Sequence, residues 1–289
     1  VDNVNTIVSA NQVAYTAWID GNGTLRQRLG ELQSGAVNGV WARIFGGKLG
    51  GDEFTNKYKT YQLGYDAQAG EWRVGAAYEY SDGSLNYTSG SGENKIGAVS
   101  LYGTLQGKDN SALDIVVKRG RIYGDMDIYG KYSDQGDYST DATSIGVEYS
   151  KRFEGGNNVY FEPQAQLTFG RIDGYDYVSS KGIRVAYDDI NSLIGRLGIV
   201  AGKAFSRGDV YVKASLLHEF SGDSSVTMLA ANGESYMEDQ DYGDTWLEVG
   251  IGGNVTLGKN CELYGEVERS FGGDVTKNWG ANVGFRYSF

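Results

Sequence analysis

Residues 159–170 read VYFEPQAQLTFG, and apolar and polar side chains alternate along this stretch. Val159, Leu167 and Phe169 fall on one face, whereas glutamate, glutamine and threonine residues fall on the other. A period of two residues is typical of a β-strand and argues against a helix. The stretch exceeds an ordinary globular strand and matches the roughly nine to eleven residues that cross a bilayer as a strand.

The same alternation recurs along the chain and predicts about twelve strands. They are residues 38–48, 56–68, 71–83, 94–107, 110–124, 138–153, 157–171, 186–204, 208–222, 243–257, 260–271 and 276–289. Short connections alternate with long polar ones, which we place at 49–55, 84–93, 125–137, 172–185 and 223–242. This arrangement is typical of a transmembrane antiparallel β-barrel with tight turns at one rim and larger loops at the other.

The composition leaves two all-β architectures open, a soluble sandwich or barrel and a membrane barrel. A single proline agrees with continuous hydrogen-bonded strands. The mean hydropathy of -0.40 argues against apolar membrane helices. The alternation places many charged residues on the polar face, where a small dry interior would not tolerate them. We therefore expect the apolar face to point outward and the charged face to line a wet lumen.

The net charge and the cysteine content exclude several classes of function. A net charge of -11 disfavours nucleic acid as a partner, because phosphate binding needs a basic face. Cys261 stands alone, which excludes an internal disulfide and a multi-cysteine metal site, and no cofactor is expected. Val1 does not begin a signal peptide, so we expect the chain to be a processed or excised part of something longer.

Residues 1–37 do not alternate and are predicted to be an α-helical linker, with the barrel occupying 38–289. A first helix is expected over 6–18 and a break over 20–23. Thr24 and Gln27 then form a capping box, and the second helix should continue to Gly35. Because this helix is too polar for a lipid contact, it lies either in the charged lumen, which we favour, or in the periplasm.

Five short motifs resemble the translocator domains of autotransporters (type Va secretion), and most closely those of the serine-protease autotransporters of enterobacteria. They are RLGEL at 28–32, VWAR at 40–43, EPQAQL at 162–167, LIGRLG at 193–198 and FRYSF at 285–289. The resemblance covers nearly the whole chain. It implies a twelve-stranded barrel of the bacterial outer membrane, with the linker in its pore and a secreted passenger N-terminal to it.

The resemblance also implies partners and a processing reaction. The BAM machinery would assemble the barrel in the lipid bilayer by recognising the C-terminal strand, and we expect a monomer. Some members release the passenger by cyclisation of the first asparagine of an Asn-Asn pair. That pair falls at Gly23-Thr24 in this chain, so the nucleophile is missing, and only Asn22, one residue earlier, remains as a candidate.

Two groups of residues are predicted to carry function. The first would line the lumen and contact the linker, and it consists of Arg43, Glu162, Arg196, Glu266, Glu268 and Arg286. For each of these residues, plain solvation of the pore wall is the alternative. The second would form the assembly signal, and it consists of Phe285, Tyr287 and Phe289, for which ordinary lipid contact is the alternative.

A diffusion porin and an outer-membrane hydrolase are the competing functions. A porin usually has more strands and narrows its pore with a folded-in loop. A hydrolase needs a general base in a polar site. The alternation places His218, the only histidine, on the lipid-facing side, so this residue argues against catalysis. Cys261 falls on the same face and is predicted to be a small apolar residue.

Overall fold

The computed structural model describes residues 2–30 and 36–289. Two helices come first, α1 (Asp2–Asp20) and α2 (Leu25–Leu29). Among the described residues, neither helix combines the length and apolar character needed to cross a membrane. Everything after residue 37 is built from antiparallel strands and their connections.

Twelve long strands pair in chain order, and the last pairs with the first to close a barrel. They are β1 (Asn38–Gly50), β2 (Phe54–Ala69), β3 (Trp72–Tyr87), β4 (Gly90–Gln106), β5 (Ser111–Ile128), β6 (Asp134–Lys151), β8 (Val159–Ile172), β11 (Ile190–Phe205), β12 (Gly208–Glu219), β15 (Asp244–Leu257), β16 (Cys261–Phe271) and β17 (Thr276–Ser288). A two-residue strand, β7 (Phe153–Glu154), pairs with β8 at the rim. The predicted fold class is therefore confirmed.

The prediction of long loops is wrong at three places. The observed connections are 51–53, 88–89 and 129–133, because the strands flanking them run further than the alternation suggested. Strands β3 to β6 reach 16 to 18 residues. Beyond the apolar belt their outward side chains turn polar, as at Glu93 and Lys95, yet the backbone still pairs across strands. Backbone hydrogen bonding continues a strand where side-chain alternation no longer marks it.

The two remaining long connections are not irregular. They fold into four further strands, β9 (Tyr175–Val178), β10 (Arg184–Tyr187), β13 (Asp223–Leu229) and β14 (Ser235–Asp241). These form one sheet in the order β14-β13-β10-β9, with β10 pairing β13 between the two connections. The predicted strand at 186–204 therefore begins late, at Ile190, since 186 and 187 belong to this outer sheet.

The two faces of the wall differ as the alternation predicted. Leu101, Leu197 and Val99 point outward and are 65%, 67% and 56% exposed. Glu79 and Lys118 point into the lumen and are buried. Apolar residues therefore face outward around the barrel, and the charged residues lie inside.

Large inward aromatic rings lie over glycines of the neighbouring strand. The Trp41 ring covers Gly64, and the Tyr102 ring covers Gly75, so that a Cβ at either glycine would collide with the ring. The indole Nε1 of Trp41 donates to the Tyr102 hydroxyl at 2.8 Å. Glycine is required at both positions because the rings occupy the space of a side chain.

Both helices lie inside the barrel. The capping box of α2 is confirmed, since Thr24 and Gln27 exchange hydrogen bonds between side chain and backbone. The predicted extension of this helix to Gly35 is wrong, because α2 ends at Leu29 and Gly30 adopts a φ of 66°. Residues 31–35, including Glu31 and Leu32, lie outside the described part of the chain. We call residues 2–30 the linker.

The linker in the lumen as candidate functional site

The barrel has a short-turn rim, which includes the turns at 70–71 and 258–260, and a long-loop rim, where the outer sheet stands. Near the short-turn rim the Tyr264 hydroxyl donates to the carbonyl of Arg28 in the linker at 2.7 Å. At the long-loop rim the Asn3 amide donates to the carbonyl of Tyr132 at 3.0 Å. The linker therefore runs the length of the lumen, with its N-terminal end at the long-loop rim.

Two arginines fasten α2 to the wall near the short-turn rim. Arg26 donates to the Tyr160 hydroxyl at 2.9 Å and to the Asp209 carboxylate at 3.2 Å. Its guanidinium also lies over the ring of Tyr211, 4.6 Å from the centroid. Arg28 makes a short ion pair with Asp114. Both ion pairs are nearly excluded from solvent. Removing one partner of such a pair strongly destabilises a protein, because the other charge is left buried without a counter-charge.

Gln27 is held on both its backbone and its side chain. Its carbonyl accepts hydrogen bonds from Arg43 Nη1 and from Asn282 Nδ2, each at 2.9 Å. Its side-chain amide donates to Glu266 at 2.6 Å and to Glu268 at 3.1 Å. These contacts with the wall fix the orientation of Gln27, since each one needs a donor or an acceptor at a particular position.

A ladder of alternating charges connects the end of α1 with α2. Asp20 pairs with Lys277 at 2.9 Å, and Lys277 pairs with Glu268 at 2.6 Å. Lys213 then pairs with Glu268 at 2.7 Å and with Glu266 at 2.6 Å. Because the two carboxylates also bind Gln27, the ladder holds both helices at the turn between them.

The turn at 21–24 is closely confined. The Gly23 carbonyl accepts a hydrogen bond from Gln166 at 3.2 Å, and the Leu25 amide donates to Glu148 at 3.2 Å. A Cβ at Gly23 would lie 3.0 Å from Nη2 of Arg43. Asn22 is half-buried, and its backbone amide donates to the Ile19 carbonyl at 3.0 Å.

The α1 helix packs against the outer sheet and against the end of β12. The Tyr15 hydroxyl donates to Glu219, the last residue of β12, which is 1% exposed, at 2.8 Å. Asn11 donates to Gln240 at 2.6 Å, and Tyr187 donates to the Ile7 carbonyl at 2.7 Å. The helix also shares an apolar cluster of buried side chains with the outer strands. Ile7, Ala10 and Ala14 come from the helix, and Val185, Val226 and Met228 come from the strands.

Closely packed tyrosine rings lie at the centre of this outer packing. The rings of Tyr175 and Tyr187 lie 4.5 Å apart, and Tyr242 stacks on Tyr15 at 4.8 Å. Burial raises the pKa of Tyr175, Tyr187 and Tyr242 above the usual value of 10.0. The pKa of Tyr177 is raised to about 12, mainly by burial. These phenols stay neutral because ionisation in an apolar cluster is costly.

The predicted lumenal residues differ in what they contact. Arg43, Glu266 and Glu268 touch the linker directly through Gln27. Arg196 donates to Glu148 at 3.2 Å, and Glu148 in turn accepts a hydrogen bond from the Leu25 amide of the linker. Glu162 contacts Gln164 at 2.8 Å and Arg152 at 3.5 Å, both on the wall.

Arg286 binds Asp66, a residue of the wall that no sequence pattern singled out. The sequence also did not single out Asp114 and Asp209, the acidic partners of the linker arginines, or Lys277 and Asn282, which bind Asp20 and Gln27. Two arginines in a helix assigned to the lumen are the signal that predicts such partners. Alternation alone does not predict which carboxylates of the wall lie at the same level along the barrel axis as the linker arginines.

The terminal aromatic residues lie on the outer face. Phe285, Tyr287 and Phe289 are 41%, 40% and 52% exposed, and the last two rings are 5.4 Å apart. The backbone of Phe289 exchanges hydrogen bonds with Asn38 at 2.7 and 2.9 Å, which places the chain end against β1. His218 also lies on the outer side, where Nδ1 is 2.6 Å from the Thr245 hydroxyl. Cys261 is free and half-buried.

Fold and site together define a transmembrane β-barrel with an apolar belt, a charged lumen and a segment of its own chain threaded through it. A family model described as "Autotransporter beta-domain" matches residues 40–268. The pertactin autotransporter of Bordetella parapertussis is 30% identical over 96% of this chain and 32% of its own length. The BrkA autotransporter of Bordetella pertussis is 30% identical over 99% of this chain and 29% of its own length. Serine protease EspP of Escherichia coli is 28% identical over 96% and 22%.

Solved structures agree with these relatives. The crystal structure of the β domain of BrkA matches with a TM-score of 0.72 and 26% identity, covering 88% of this chain and 100% of that one. The translocator domain of NalP from Neisseria meningitidis has a TM-score of 0.75 at 14% identity, covering 96% and 98%, which shows the shared fold.

The chain belongs to the autotransporter β-domain family. It is an outer-membrane translocator barrel, and it spans a third or less of the length of the curated relatives it matches.

Proposed function

We propose that this barrel anchors an N-terminal passenger at the cell surface and that the lumen is the route by which the passenger leaves. The direction of the linker supports this most. In barrels of this kind the short turns face the periplasm and the larger loops face outward. Asn3 lies at the long-loop rim, so whatever precedes residue 2 emerges outside the cell.

A reporter peptide fused ahead of residue 2 tests the export route. We expect an external protease to remove it from intact cells, since the linker holds it at the outer rim. A matched fusion inserted in the short turn at 258–259 should remain protected. Protection of the N-terminal reporter in cells whose barrel is folded would contradict the proposal.

The folded linker acts as a plug in this proposal. Two of the cavities left beside it have volumes of about 120 Å³, bordered by Gln12, Tyr15 and Lys277 among others, and about 330 Å³, bordered by Arg26 and Gly30 among others. We expect the full chain to conduct little in a planar bilayer and a variant lacking residues 2–24 to conduct strongly. A large constant current from the full chain would instead favour the competing function of a diffusion porin.

We propose further that the linker stays intact. Position 23, where the family's nucleophilic asparagine would stand, has no side chain, and Arg43 occupies the space a side chain would enter. The intact mass of a chain extended upstream of Val1 tests this. A single full-length mass supports it, whereas cleavage next to Asn22 that Asn22→Ala abolishes would refute it.

Assembly by the BAM machinery as a monomer completes the proposal. The support is the position of Phe289, exposed at the end of the strand that closes the barrel. We expect Phe289→Ser to lower the amount of folded barrel in the membrane. Phe271→Ser is the matched control, because Phe271 is also an exposed outward aromatic at a strand end. Equal losses in both variants would speak for lipid contact instead of recognition, and a single species by native mass spectrometry tests the monomer.

A further inference from the structure

The carboxylate of Asp66 lies on the lumen wall near the short-turn rim and has no solvent exposure. Arg286 donates to both of its oxygens, from Nη1 at 3.0 Å and from Nη2 at 2.5 Å. Arg73 donates at 2.8 Å and the Tyr102 hydroxyl at 2.5 Å. The bidentate guanidinium–carboxylate pair is the strongest kind of side-chain hydrogen bonding and fixes geometry as well as distance.

The ion pair of Arg286 and Asp66 spans a third strand that lies between the two strands containing these residues. Arg286 is in β17 and Asp66 is in β2, and β1 lies between them. The guanidinium passes over Gly39 of β1, where a Cβ would collide with it. A glycine at this position is therefore what allows the last strand to reach the second one.

The β1–β17 pair is the seam of the barrel, because it alone joins the first and last strands of the wall in the described chain. Arg286 and Asp66 are 220 positions apart and can meet only when the seam is closed. We propose that Arg286 and Asp66 form a latch that ties β17 to β2 across β1 and holds the barrel closed. Arg73 extends the latch to the backbone just before β1, since it binds both Asp66 and the Ala36 carbonyl.

The wall contains a matched pair away from the seam. Arg196 in β11 reaches over β8 to Glu148 in β6, with an N–O distance of 3.2 Å. Its side chains are 5% and 4% exposed, close to the 2% and 0% of the latch. Loss of this pair removes a comparable buried contact without touching β1 or β17.

Hydrogen–deuterium exchange of the full 289-residue chain in lipid nanodiscs tests the latch, because it reports opening at each strand pair separately. In Arg286→Gln we expect the amides of the β1–β17 pair to exchange about tenfold faster, while those of the β5–β6 pair keep their protection. Arg196→Gln should change exchange in β6, β8 and β11 and leave the seam as it is.

Two further variants separate the latch from a general loss of charge. Asp66→Asn leaves Arg73 and Arg286 facing each other, so it should open the seam more than Arg286→Gln, and the double variant should exchange more slowly than Asp66→Asn alone. Gly39→Ala keeps every charge and should still speed exchange at the seam. It remains informative if the charge variants fail to fold. Unchanged seam exchange in Arg286→Gln or Gly39→Ala, or equal acceleration in all strand pairs, would overturn the latch.

Discussion

At the scale of single residues, the buried charges of the lumen include ion pairs between the linker and the wall. The pair of Arg28 and Asp114 is nearly inaccessible to solvent, and Asp114 also accepts a hydrogen bond from Thr104 at 2.7 Å. Such a pair adds little net stability when compared with an apolar substitute, but it penalises any arrangement that separates its members. Paired charges therefore make one position of the linker preferred.

Asp114→Asn should loosen the linker. The substitution leaves the Arg28 guanidinium buried without its counter-charge, at a cost of about 3–5 kcal/mol. We expect trypsin to cut after Arg26 and Arg28 in the variant and to spare the wild type. Asp109→Asn is the control, because Asp109 pairs with Lys151 at 3.6 Å on an exposed turn. Equal resistance of both variants would show that this pair does not hold the linker.

His218→Ala should have almost no effect on function. The side chain lies on the outer face beside Phe220, 4.5 Å between ring centroids, away from the lumen. Substitutions of this kind usually change stability by about 0.5 kcal/mol or less. The amount of folded barrel and the surface display of a reporter measure the outcome. A selective loss of display with normal folding would show that His218 takes part in export and would contradict this prediction.

At the scale of elements, neither linker helix is stable by itself. The five residues of α2 are far below the length at which an isolated helix persists in water, so its capping box and the wall contacts maintain it. The outer half of α1 depends in the same way on the outer sheet, whose tyrosines pack against it. The helices are thus held by elements distant in sequence.

The outer sheet should lose stability at alkaline pH. The pKa of Tyr175 and of Tyr187 is raised above 10.0 by burial, so the folded state favours the neutral phenols. That stability is fully present below pH 10 and is lost as the pH rises further toward the folded pKa values. The protection of the amides at 3–15, taken relative to the intrinsic exchange rate at each pH, should fall above pH 10 as the phenolate absorbance rises. In Tyr175→Phe the absorbance change should shrink, and constant protection up to pH 12 would contradict the prediction.

At the scale of the whole molecule, the barrel inverts the usual arrangement of a soluble protein. Its apolar side chains face outward, where lipid replaces the core, and its charges face a lumen filled by the linker. The inversion is consistent only if the wall is closed, because an open edge would leave backbone groups unpaired in lipid. Closure through β1 and β17 is therefore as much a condition of the fold as the alternation.

Leu197→Arg should destabilise the barrel by about 2–4 kcal/mol, the cost of an arginine near the bilayer midplane on a lipid-facing strand. Leu197 is 67% exposed and lies midway along β11. Leu229→Arg is the control, since Leu229 is 42% exposed but belongs to the outer sheet. Urea unfolding in lipid vesicles measures both, and equal stability of the two variants would contradict a lipid-facing belt.

The sequence by itself determined the number of barrel strands, their order, the direction of each face and the capping box of α2. These features follow from local patterns, since alternation and capping need only neighbouring residues. The sequence did not determine where the strands end beyond the lipid belt. Glu93 and Lys95 pair with β5 through their backbone, whereas their polar side chains are typical of a loop.

Only the tertiary structure decided which charges meet. The outer sheet joins residues 184–187 with 226–229, and the latch joins Asp66 with Arg286, because barrel closure brings distant strands to one height. The same holds for Gln27, whose partners Glu266 and Glu268 are separated from it by nearly the whole chain. Pairing of this kind depends on register and strand tilt, which no local pattern records.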